Sequence, residues 1–120
     1  MLRSLLFTAG ISFMATNGYS QVYIDGVNMN ADTAVQYIEV VHSAYPNSFY
    51  VETIDMGKGY RPFARITDSS GKRMKIESSI QLEQHFKRNG WSLLRRDMVY
   101  QSKHDASGAM LVFLLYQKRE

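Results

Sequence analysis

The residues of this chain whose types could do chemistry are three histidines, a serine–lysine pair, a glycine-flanked lysine and a run of cations. His42, His85 and His104 fall in three separate segments, with no His-Glu-x-x-His or other metal-ligand spacing. They read as surface or half-buried histidines, and no metal site is expected. Ser69-x-x-Lys72 matches the spacing of a serine acyl-transfer pair. That chemistry needs the serine at a helix start inside a cleft, activated by the lysine. Here the pair sits among turn formers, Asp68-Ser69-Ser70-Gly71-Lys72. Gly57-Lys58-Gly59 lacks the glycine spacing and the Lys-Ser/Thr pair of a phosphate loop and reads as a tight turn. Glu52 and Asp55 have an odd spacing within an extended segment, so they fall on opposite faces and cannot be a paired acid and base. No catalytic residue and no cofactor follow from these patterns. A small hydrolase built from His42, His85 or His104 and a carboxylate requires the fold to bring them into one cleft.

The cations carry the stronger argument. Lys58, Arg61, Arg65, Lys72, Arg73 and Lys75 are accompanied by Asp68 as the sole acid between positions 58 and 75, whereas Gln21 to Tyr50 holds three acids and no Lys or Arg. With Tyr60 and Phe63 among them, these six cations form a candidate anion-binding surface that uses charge and stacking. Its partner would be an anionic lipid head group or an acidic glycan rather than nucleic acid. The competing reading is a solvated basic hairpin that protects a sheet edge from aggregation.

The leader explains that preference in partner. Arg3 followed by the apolar run Ser4 to Ala15, then small residues before Gln21, is the pattern of a signal peptide cut after Ser20. The run is shorter than the roughly 20 apolar residues of a membrane span. Residues 1–20 are therefore expected to be removed, leaving residues 21–120 as one exported domain, periplasmic or extracellular, with no stable membrane span after cleavage. The chain has no cysteine, so packing alone must hold the domain.

Four long strands and one helix can position these residues. Val22 to Ile24 is a short extended piece closed by the turn pair Asp25-Gly26. Residues 31–44 satisfy two patterns: Ala31, Val35, Ile38 and Val41 fall at helical spacing, while Val35, Ile38, Val40 and Val41 crowd β-branched residues as a strand does. Phe49 to Asp55 reads as a strand. Ala64 to Thr67 and Arg73 to Ile76 read as a hairpin around the Asp68–Lys72 loop. Ser78 or Ser79 caps a helix; with Ser78 as N-cap, Gln81 is the capping-box partner, and Ile80, Leu82 and Phe86 form the buried side with Gly90 as the stop. Trp91, next in the chain, reads as a core anchor, and Trp91 to Tyr100 is a third strand. The fourth, Met110 to Tyr116, is apolar on both alternating faces, which predicts a central strand covered on both sides. The helix covers one face. The other calls for the Val22–Ala34 segment or for a second copy of the chain.

The runs Tyr23 to Asn30 and Val35 to Val41, the Asp68-Ser-Ser-Gly-Lys72 turn, the serine-started helix running into Asn89-Gly90-Trp91, and the aromatic final strand with its basic end resemble one known group. This group comprises short secreted proteins of Gram-negative bacteria classed as a domain of unknown function. The resemblance covers most of residues 21–120 and implies a β-β-α-β-β order; Lys58 to Phe63 is more basic than the group's pattern. It carries over no activity and no site residue.

The expected fold is α+β: a small antiparallel sheet of about four long strands plus a short hairpin, with one helix on one face. The expected role is an exported, non-catalytic binding or interaction module of the cell envelope, with a protein or an anionic envelope component as partner. The alternatives are an inhibitor- or immunity-type protein that offers a sheet edge, or the small hydrolase.

Overall fold

The computed structural model describes residues 21–43, 49–100 and 110–119. The expected leader, Pro46 and His104 lie outside them. Eight strands and one helix are described, in the order β1 (Tyr23–Ile24), β2 (Val27–Asn28), β3 (Tyr37–Ser43), β4 (Val51–Asp55), β5 (Tyr60–Pro62), β6 (Ile66–Thr67), α1 (Ser79–Arg88), β7 (Trp91–Tyr100) and β8 (Met110–Lys118). The α+β class is as expected, but the strands form two antiparallel sheets. One has five strands in the order β5-β4-β3-β8-β7, and the other has three in the order β2-β1-β6.

Local chemistry explains each boundary. Asp25 and Gly26 both take positive φ (+52° and +80°), the mirror-image turn whose twist suits a two-residue hairpin, and so β1 pairs with β2. The ambiguous segment is a strand from Tyr37 to Ser43 because partners flank it on both sides: Val40 pairs with Ile54 of β4 and with Leu114 of β8. Ser78 caps α1 by accepting a hydrogen bond from the Gln81 backbone N–H (3.1 Å), while the Gln81 side chain accepts one from the Glu77 N–H (2.8 Å). Gly90 at φ +95° ends the helix, and a Cβ there would lie 3.2 Å from Asn30 Nδ2.

Helix and small sheet share one layer. Val22, Ile24 and Met29 from the N-terminal hairpin region join Leu82 and Phe86 of α1 and Trp91 at the start of β7. All of them pack on the face of the large sheet that carries Ile38, Val40, Leu114 and Tyr116. Phe86 stacks on Tyr116 (ring centroids 4.2 Å apart, 14° between planes) and meets Trp91 edge-on at 6.3 Å.

Three expectations need correction. The Ala64–Ile76 hairpin is rudimentary: its second arm holds one bridge, Thr67 to Arg73, because Ile66 and Thr67 are recruited as the third strand of the small sheet by β1. Ile80 is exposed (65%), and Leu82 and Phe86 alone form the buried side of α1. The C-terminal strand β8 is internal, between β3 and β7, but it is layered on one face only among the described residues. Val112, Leu114 and Tyr116 are buried, whereas Leu111, Phe113 and Leu115 are half-buried on the opposite face. The Val22–Ala34 segment does not cover that face, since its apolar residues are drawn to the helix side by Trp91 and Phe86.

Candidate functional site

The six predicted cations are all exposed, and the fold divides them. Arg61 is paired with Asp25 at 3.0 Å and Lys75 with Glu77 at 3.8 Å. Lys58 sits in the turn after β4, where Asp55 Oδ1 accepts hydrogen bonds from the Gly57 and Gly59 backbone N–H groups. Gly57-Lys58-Gly59 is thus held as a tight turn by a carboxylate. Lys72 lies in the Asp68 turn. Arg65 and Arg73 make no ion pair among the described residues, and these two line the same groove.

That groove has a volume of about 230 Å³. Its deepest residues are the buried Ala64 and Ile66, with Val51, Phe49, Met74 and Ile76 around them and the exposed Tyr50, Phe63, Arg65 and Arg73 at the rim. Two carboxylates shape it without entering it. Asp25 accepts from the Arg65 backbone N–H (3.0 Å) and from the Arg61 guanidinium, while its own N–H donates to the Arg65 carbonyl (2.8 Å). Asp68 Oδ1 accepts from the Ser70 N–H (2.9 Å), the Ser70 hydroxyl (2.6 Å) and the Lys72 N–H (3.0 Å). The Ser70 hydroxyl, helped by the Lys72 backbone, holds the Asp68 carboxyl below its ordinary range. The folded-back turn then lets the Met74 N–H reach the Ile66 carbonyl at 3.0 Å, which sets Arg73 beside Thr67.

Phe63 is the unusual residue of this rim. It takes φ +65°, a left-handed backbone that a bulky residue rarely adopts, and it is 83% exposed. Strain and an unburied ring together mark a residue held for a purpose other than the core. Phe49, Tyr50, Met74 and Ile76 were not predicted as groove residues. Their convergence depends on β4 lying beside the arm that follows the Asp68 turn, and no local spacing encodes that.

The remaining candidates do not assemble. Ser69 and Lys72 are exposed in the turn, away from any helix start. His42 on β3 lies against Phe49 with ring centroids 4.6 Å apart and planes tilted by 47°, and its Nδ1 is 2.8 Å from the Ser43 carbonyl, so the Nδ1–H tautomer donates there. His85 on α1 lies 3.3 Å through Nδ1 from the Asn89 amide and packs edge-on against Phe86. Each ring thus serves a different neighbour, and His104 lies outside the described residues. Among the described residues no three His, Cys, Asp or Glu side chains are grouped as a metal ion needs. Comparison with protein-family models, with curated proteins and with solved structures finds no match to this chain.

The two described histidines do predict a pH response. Burial lowers the pKa of both, with Arg96 adding to the effect at His42 and Arg88 at His85. A group depressed in the folded state resists the proton that the unfolded chain accepts. Stability from these sites is therefore full above the unfolded value of about 6.5 and falls as pH drops below it. Urea midpoints should decline from pH 7 to pH 5, and His42→Gln should flatten part of that slope. An unchanged slope in His42→Gln would show that the ring takes up its proton as readily in the folded state as in the unfolded chain.

Proposed function

We propose that the chain is an exported, non-catalytic binding module whose groove receives an anionic component of the cell envelope. The observation that supports this reading is the pair Arg65 and Arg73, free of carboxylate partners among the described residues, across an apolar groove capped by the strained, exposed Phe63. Guanidinium groups offer planar forks to carboxylate, sulfate or phosphate oxygens, and an exposed ring offers a face to the body that carries them. The size limits what enters. At about 230 Å³ the groove is below the common range for drug-sized ligands, so it suits one acidic sugar or head group rather than a whole lipid.

Retention on immobilised heparin tests the reading, because two doubly substituted variants of equal charge can be compared. Arg65→Ala/Arg73→Ala should weaken retention at least about tenfold, the loss expected from even one charged hydrogen bond of about 1.5 kcal/mol. Lys58→Ala/Lys75→Ala should change it little. Equal losses in the two variants would reduce the effect to net charge and remove the groove from the explanation.

A further inference from the structure

The five-stranded sheet treats its two borders differently. At one border, β5 is three residues long, includes Pro62 and is followed by the strained Phe63, which are devices that discourage further strand pairing. At the other, β7 runs for ten residues, and no described strand pairs with its outer side. Leu94, Met98 and Val99 on this border are 51%, 60% and 48% exposed. The direction of its backbone groups follows from two bonds. The Lys118 N–H donates to Gln36, on the β3 side, and the Arg119 N–H to Gly90, on the β7 side. Leu111, Phe113 and Leu115 therefore bond toward Val99, Asp97 and Arg95, and the N–H and C=O groups of Arg96 and Met98 point outward, unpaired by β8.

The side chains along this edge are complementary to themselves. Arg95 and Asp97 lie on one face, with Nε and Oδ2 2.9 Å apart. An antiparallel copy of β7 placed on a two-fold axis through Arg96 sets each Arg95 opposite the other copy's Asp97, and the bulge at Leu94 ends the regular pairing there. The outward backbone of Arg96 then meets its own copy. The two Arg96 side chains share the opposite face, where each is held by Glu83 of its own helix. Shifting the axis to Asp97 or to Arg95 loses both Arg95–Asp97 cross-pairs and sets like charges opposite at the closer, non-hydrogen-bonded spacing. The two Arg96 side chains instead meet at the wider hydrogen-bonded spacing, with Glu83 beside each. We infer that two copies of this chain join β7 to β7 about Arg96 into one continuous ten-stranded antiparallel sheet. A dimer held by one pair of edge strands is expected to form at micromolar concentration rather than below it.

The absence of cysteine makes a direct test available. In an antiparallel hydrogen-bonded pair the facing Cα atoms are about 5.5 Å apart, within disulfide reach. Under mild oxidation Arg96→Cys should give a covalent dimer at least about tenfold faster than Lys58→Cys at the other border. In sedimentation the wild type should show a concentration-dependent dimer. Arg95→Asp should weaken it at least about tenfold, and Arg95→Asp/Asp97→Arg should restore it to within about threefold. Thermal melts of each variant separate loss of pairing from loss of folding. The inference is overturned by a monomer at every concentration up to about 100 μM, by equal cross-linking at positions 58 and 96, or by a dimer indifferent to the charge reversal. That last outcome would assign the contact to the half-buried Leu111–Phe113–Leu115 face or to another surface.

Discussion

Trp91→Ala is expected to cost about 3–5 kcal/mol, a large part of the roughly 5–15 kcal/mol that holds a domain of this size. Trp91 is fully buried in the helix-side layer. Phe86 meets its ring edge-on, Lys118 Nζ lies 5.4 Å from the ring centroid, and its indole N–H donates to Asn30 Oδ1 at 3.1 Å. The Lys118 ammonium also donates to the Asn30 and Asp32 carbonyls, and its partial burial there lowers its pKa. Removing the ring therefore opens a cavity and also strips the packing from a cation whose other contacts are backbone carbonyls. The fall in urea midpoint at unchanged m-value is the measurement. A loss below about 1 kcal/mol would mean that the layer closes around the gap.

Trp91 also shows which parts of the fold were legible in the sequence. Its role as a core anchor followed from its position behind Gly90, and the helix limits followed from Ser78, Gln81 and Gly90, because caps and stops are local signals. The strands β7 and β8 were readable for the same reason, as continuous β-forming runs. What escaped was decided by pairing at a distance. Ile66 and Thr67 carry an alternation that fits a hairpin with residues 73–76, yet β1, some forty positions away, takes them as a partner. Ile80 fits the apolar face of α1, but the face presented to the sheet is set by Phe86 stacking on Tyr116, and Ile80 is left outside. The candidate site divides along the same line. Composition revealed the cations, whereas their sorting into paired and unpaired depended on Asp25 folding back over residues 61–65.

The same dependence on distant partners makes Asn30 the second residue with a large expected effect. Its Oδ1 accepts from the Val22 backbone N–H (3.0 Å) and from the Trp91 indole N–H, while its Nδ2 donates to the Asn89 carbonyl (2.7 Å). One side chain thus ties the start of the small sheet, the end of α1 and the first residue of β7. Asn30→Ala leaves two donors and one acceptor without a partner beside a fully buried ring, and each orphaned group costs about 1–3 kcal/mol. A total of about 3 kcal/mol or more is expected. Asn30→Asp keeps both accepted bonds but sets a carboxylate oxygen against the Asn89 carbonyl, so it should fall between alanine and wild type. The decisive measurement is a double-mutant cycle. Trp91→Phe removes one of the two donors, so Asn30→Ala should cost about 1–2 kcal/mol less in the Trp91→Phe background than in the wild type. Strict additivity would show that the indole bond carries no coupling, and that Asn30 acts through Val22 and Asn89 alone.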